Sequence, residues 1–183
     1  MTTATISSRS ASDLLPAYAA GAWEAVAAQS QASFTARVAG RPVRGCLPVS
    51  GEACVGDSAE QCATTLVARV GELSTFSPIL DRILTGPGFL EADAYPEISF
   101  RSEELIQVPT GWRAIGQLHV KGVDHEVACQ LSLGSLRWQA DGTPRLSATS
   151  QWVLDSTWIT GQRIPGLSRR VVIAASIVLE PSR

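Results

Sequence analysis

Few residues in this chain are equipped for chemistry. There are two histidines, His119 and His125, and four cysteines, Cys46, Cys54, Cys62 and Cys129. No H-E-x-x-H, phosphate-cradling glycine loop or G-x-S-x-G occurs, so the usual metalloprotease, nucleotide and hydrolase machinery is missing. The first three cysteines recur at equal steps that match no metal-ligand spacing. They read as reduced, partly buried thiols of a cytoplasmic protein. His125 shares the apolar face of its segment with Val127 and Cys129. There it can polarise a ligand carbonyl or simply bond a backbone group. His119 alternates with Arg113 and Gln117 and should face water. Tyr95, just before Pro96, can donate its hydroxyl to a ligand or anchor its own loop. Glu72 has the parity of Ala68 and Val70. Turned inward it would be a desolvated acid; turned outward it is a strand end.

What positions these groups is a period of two. Ala32, Phe34, Ala36 and Val38 alternate with Ser33, Thr35 and Arg37, and the same rhythm runs through Leu66–Val70 and Ile98–Arg101. It continues through Trp112–Lys121, Glu126–Leu133, Arg145–Leu154 and Val171–Leu179. Such alternation marks strands that are apolar on one side and wet on the other. Reversals are expected at Gly40–Pro42, Val49–Glu52, Lys121–Asp124 and Asp141–Pro144. Links this short require antiparallel neighbours. Only Ser77–Leu84 departs, with an early proline and apolar residues at Ile79, Leu80, Ile83 and Leu84; it predicts a helix of about two turns. Residues 1–20 form a polar lead in which Asp13 can cap a turn at Leu14–Pro16. Residues 21–183 then make one all-β domain, an eight-stranded antiparallel barrel with room for a small guest.

Parity assigns the wall of that interior. Phe34, Val38, Ala68, Val70, Phe100, Trp112, Leu118, Cys129, Leu131, Trp152 and Ile173 should touch an apolar ligand. Trp112 and Trp152 can stack on a conjugated chain or simply fill the core. Trp23, Trp138 and Trp158 sit near segment ends and can guard a mouth. The run Arg163–Arg170 reads as a loop across that mouth.

Composition narrows the partners. Fifteen Lys and Arg against seventeen Asp and Glu give a net charge of −2, which disfavours nucleic acid. No apolar run reaches the ~18 residues of a membrane span, and residues 1–11 lack the apolar segment of a secretory signal. No cofactor and no metal are expected, and a twofold homodimer is the default assembly.

Several stretches resemble the YceI-like family of lipocalin-like, polyisoprenoid-binding barrels. G-A-W-E-A-V and V-R-G-C-L-P-V-S-G look like its opening strands. F-L-E-A-D-A-Y-P-E-I-S-F-R-S (89–102) is the most specific piece, followed by G-Q-L-H-V-K-G-V-D-H-E-V (116–127) and S-A-T-S-Q-W-V-L-D (147–155). The resemblance implies a barrel around a long apolar molecule. It also shows departures. Where the family carries an Arg-Asp-x-His-Leu-like stretch, this chain reads L-D-R-I-L (80–84), keeping Asp81 and Leu84. Gly88 stands where an Asp is usual, and Ser156 where an Arg usually follows Asp155. Some barrels similar to this family are cyclases of macrocyclic polyketide pathways that fold a polyene for cycloaddition. The altered motif, the five tryptophans and the lack of a signal fit that branch. The resemblance therefore implies either a cofactor-free cyclase, with His125 and Tyr95 as donors, or a carrier of a polyisoprenoid, quinone or similar lipid.

Overall fold

The computed structural model describes residues 20–56 and 62–182; the expected cap at Asp13 lies outside them. Among the described residues there are nine strands: β1 (Gly21–Ala25), β2 (Gln31–Val38), β3 (Arg41–Val55), β4 (Ala63–Arg69), β5 (Glu97–Val108), β6 (Gly111–Val120), β7 (Val123–Trp138), β8 (Pro144–Asp155) and β9 (Arg170–Pro181). Each pairs antiparallel with its neighbours, and the order β2-β9-β8-β7-β6-β5-β4-β3-β2 closes on itself. The closed ring has eight positions because β1 and β2 share one. Glu24 faces Glu52 of β3 and Gln31 faces Pro48, so seven steps along one strand span four along the other. The surplus forms a tight 3-10 turn, Ala27–Gln29, between β1 and β2. Both pieces also pair with β9, which seals the seam.

The alternating segments become strands because each has one face to bury. In β6 the burial pattern swings residue by residue, with Trp112, Ala114, Gly116, Leu118 and Val120 inward. Three apolar clusters fill the barrel where it is not hollow. Trp23, Val49, Leu146 and Leu179 pack at one end; Leu118, Val127, Leu154 and Val171 pack along the wall; Leu47, Val70, Leu73, Leu90 and Val120 pack at the other end.

One expected reversal is not a turn. Val49–Glu52 lies inside β3 and pairs without interruption with Leu66–Ala68 and Thr65 of β4. Gly51 is there for close approach: its φ is +141°, and a Cβ would collide with the carbonyl of Thr65. The glycine bends a long strand whose first half pairs with β2 and whose second half pairs with β4. The reversals at Gly40, Gly122 and Gly142 do occur, each glycine having a positive φ.

The helix α1 (Pro78–Thr85) forms where the proline predicts it. Its first turn is held by Asp81, whose Oδ1 accepts from the Thr75 amide and hydroxyl, both at 2.6 Å. A second short helix, α2 (Thr157–Thr160), follows β8. Both helices lie at the same end of the barrel, where β4, β6 and β8 finish and β3, β5, β7 and β9 begin. We call this the helical end. None of the described helices is long and apolar enough to cross a membrane.

Candidate functional site

The described residues enclose two adjoining apolar chambers. The first, about 170 Å³, is walled by strands and reaches toward the β3–β4 connection. Its wall includes Ala53, Leu66, Phe100, Leu105, Cys129 and Leu131. The second, about 140 Å³, lies under the helical end. Its wall includes Phe34, Ala36, Leu154 and Ile173 from the strands, with Leu84, Leu90, Ile159 and Leu167 closing it from above. Ala32, Ala68, Ile98, Leu118 and Trp152 line both chambers. The boundary is thus a ring of small and aliphatic side chains with one indole in it.

Among the described residues the walls carry no charged side chain and no imidazole. Their polar groups are a few hydroxyls and thiols, such as Thr64, Ser102 and Thr160. Burial pushes the Cys129 thiol above its ordinary pKa, so it stays protonated and unreactive at neutral pH. One donor at the boundary is unspent. The Trp152 Nε1–H is buried and meets no acceptor among the described residues. Leaving such a group unpaired costs about 1–3 kcal/mol.

Eight of the residues assigned by parity line a chamber: Phe34, Ala68, Phe100, Leu118, Cys129, Leu131, Trp152 and Ile173. Three do not. Val38 is 45% exposed, past the helical end of the cavity, and is paired with Leu167. Val70 opens a 3-10 turn, Val70–Glu72, and is packed against the cluster of Leu47, Leu73 and Leu90. Trp112 is buried but lies on neither chamber wall. Parity tells inside from outside; it does not tell height along the barrel. Among the chamber residues that sequence reasoning missed, Leu84, Leu90 and Ile159 come from the helical cap, where no period-two signal exists, and Val49 and Ala53 from the half of β3 that holds the expected reversal.

The candidate donors sit elsewhere. His125 has its ring stacked on Trp158 of α2, centroids 4.1 Å apart and planes 11° from parallel. It lines neither chamber. Tyr95 packs its ring over Gly122 in the β6–β7 turn, and its amide donates to the Glu91 carbonyl at 2.8 Å. It also stands off both chambers. Glu72 is turned to solvent, 3.6 Å from Arg69, because the strand ends at Arg69 and the 3-10 turn rotates its side chain out. His119 is exposed and bonded to Asp124 at 2.7 Å. Trp23 is buried in the core rather than at a mouth, and Trp138 is largely exposed.

The loop after α2 is fastened, not free. Ala39 donates to the Gly166 carbonyl at 2.7 Å, and Ser168 donates to the Arg37 carbonyl at 2.7 Å, so the loop clasps the β2–β3 hairpin. Its root is Asp155. The carboxylate accepts from the Thr157 amide at 3.0 Å and hydroxyl at 2.8 Å, and from Arg169 Nε at 2.6 Å. The Thr157 amide, then Arg169 and the Thr157 hydroxyl, pull its pKa down to about 2.

These features place the chain among known barrels. A YceI-like domain model matches residues 23–176. No curated protein sequence matches the chain. Among solved structures, the YceI protein of Campylobacter jejuni is similar at a TM-score of 0.68 and 16% identity, over 77% of this chain and 86% of that one. BcnA of Burkholderia cenocepacia gives 0.68 and 16%, over 84% and 98%. A polyisoprenoid binding domain from Saccharophagus degradans, implicated in plant cell wall breakdown, gives 0.66 and 15%, over 87% and 98%. At such identities these likenesses speak for the fold. With the family model matched from β1 into β9, this chain belongs to the YceI-like family.

Proposed function

We propose that the barrel binds one long apolar molecule of the polyisoprenoid or polyene kind, laid from the strand-walled chamber past Trp152 into the chamber under the helices. The observation that carries this is the wall: two adjoining chambers share five residues, and none of the described residues lining them is charged. Burying about 400 Å² of hydrocarbon there is worth on the order of 10 kcal/mol before entropy costs. The unspent Trp152 Nε1–H favours a guest with one oxygen acceptor partway along its length, as in a quinone or an enone. The name given to the Saccharophagus domain supports the same ligand class. The thiols of Cys46, Cys54 and Cys129, none of them in a disulfide, support a reducing, cytoplasmic setting. Titration with a fluorescent conjugated tetraene acid and with a short polyprenol tests the reading. Saturable one-to-one binding of either is expected, and no saturation with both overturns it.

A second reading, a cofactor-free cyclase, is favoured by the same wall. Cycloaddition of a polyene needs no acid–base pair, only a shape that holds the chain in its reactive fold. Orientation alone supplies roughly 7–11 kcal/mol of barrier in favourable cases. In this reading the Trp152 N–H binds a substrate carbonyl and draws electron density from the diene partner. His125 and Tyr95 then act by holding the helical end in place. Incubation with a linear polyene bearing a terminal enone should yield an isomer of unchanged mass. Return of only unaltered polyene leaves the carrier.

A further inference from the structure

The helical end presents an outer surface that the binding of a guest does not explain. Phe76, Ile79, Leu80 and Ile83 form one stripe on and just before α1, spaced as neighbours on a helix face. They are 91%, 73%, 36% and 48% exposed. Phe76 holds its ring out from a left-handed backbone, φ +62°, a conformation that costs a bulky residue energy. The next residue along the helix, Leu84, lines the chamber beneath. The apolar stripe is therefore continuous with the wall of the cavity.

Charge is gathered on the same side. Residues 25–51 contain Arg37, Arg41 and Arg44 and no acid, and residues 156–179 contain Arg163, Arg169 and Arg170 and no acid. The clasp between the β2–β3 hairpin and the loop after α2 brings these six arginines to one rim. The rim adjoins α1, because Ser74 pairs with Cys46 of β3, two residues from Arg44. Arg82 on α1 adds a seventh. All seven are exposed, and among the described residues only Arg169 is in an ion pair. The acids at this end are spent or lie toward β4–β8. Asp81 is bonded to Thr75, Glu72 is 3.6 Å from Arg69, Asp155 is bonded to Arg169 and Glu91 to Lys121 at 2.6 Å, while Glu97 and Asp124 begin β5 and β7. A chain of net charge −2 has kept half of one rim cationic.

We infer that this face docks the barrel on an anionic lipid bilayer. Phe76 and the α1 stripe enter the acyl boundary, the arginines meet lipid phosphates, and Leu84 sets the chamber beside the membrane from which an apolar guest is drawn. Apolar insertion and electrostatic attraction are the two terms that hold interfacial segments on anionic membranes. A protein partner would need a shaped counterpart, whereas a stripe of four apolar side chains beside a rim of exposed arginines is complementary to any anionic headgroup layer. The inference rests on the proposed apolar guest only for its purpose; the docking itself is measured separately.

The test is flotation of the protein with vesicles of phosphatidylcholine alone or mixed with equal phosphatidylglycerol, alongside tetraene titration of the same samples. Binding to the anionic vesicles only, weakened by salt, is expected. Arg41→Gln with Arg44→Gln should weaken it about thirtyfold, about 2 kcal/mol for two surface arginines. Ile79→Ser with Ile83→Ser should weaken it at least as far, with tetraene binding kept as proof of the fold. The inference is overturned if neither vesicle type floats the protein while tetraene still binds, or if neutral vesicles do as well as anionic ones. It is also overturned if the protein sediments as a dimer that Ile79→Ser with Ile83→Ser dissociates, since the stripe then covers a second copy. Vesicle binding without tetraene binding upholds the docking face and removes the proposed guest.

Discussion

The two chambers are built by different means. The strand-walled chamber is made by alternation alone: Ala53, Ala114, Cys129, Ala148 and Ile177 point in because their neighbours point out. The chamber under the helices has strand walls but a roof of Leu84, Leu90, Ile159 and Leu167, held by a clasp and two short helices. Closed ladders are stiff, and loops open at lower free energy. For the proposed guest, the difference points to entry where loops close the barrel rather than through the ladder.

The sharpest way to break this contrast is in the wall. Gly51→Val puts a branched side chain where even a Cβ meets the Thr65 carbonyl, in a left-handed backbone. A loss of about 3–5 kcal/mol in urea unfolding is expected; a mild effect would show that β3 and β4 are not locked at this point. Next comes the shared boundary. Trp152→Ala merges the chambers and removes the indole, weakening a long apolar guest by about 1–3 kcal/mol while shorter guests lose less. Unchanged affinity in a folded variant would put the guest away from Trp152.

The roof should respond more gently. Asp155→Asn removes the carboxylate that accepts from the Thr157 amide at the start of α2 and pairs with Arg169, and should cost about 1 kcal/mol at neutral pH. The folded pKa, about 2, lies below the ordinary 3.8, so the carboxylate stabilises the fold above that ordinary value. That contribution fades as pH falls through 3.8 toward 2. Thermal unfolding of the two proteins should therefore differ at pH 7 and converge near pH 2. Smallest of all, His125→Leu should cost about 0.5–1.5 kcal/mol through the lost stack on Trp158, and His125→Phe much less. A large fall in turnover with binding retained in His125→Phe would instead mark His125 as touching the reacting substrate.

Much of the wall was legible in the sequence, and the roof was not. Phe34, Ala68, Phe100, Leu118, Cys129, Leu131, Trp152 and Ile173 follow from parity, since one buried face forces it. The helix at Pro78 follows from its proline and spacing. Strand β3 was hidden from the alternation by its punctuation, since Pro42 and Gly51 look like breaks; only the likeness of V-R-G-C-L-P-V-S-G to an opening strand pointed to it. The strand accommodates them because it changes partners midway. Val38, Val70 and Trp112 have the right parity at the wrong height. Which face α1 turns outward depends on what its short length can cover at the barrel end, a tertiary fact that its own residues do not state.

Strand β9 pairs with β8 on one side and with both β1 and β2 on the other, and Ser30 reaches across to it, with Val178 N–H donating to Ser30 Oγ at 3.0 Å. Until that strand arrives, the first two have lost half of their partners. Ring closure joins residues far apart in the chain, which makes folding slow and leaves sticky edges in the meantime. A ribosome would therefore have to extrude β9 before the earlier strands are safe from pairing with other chains.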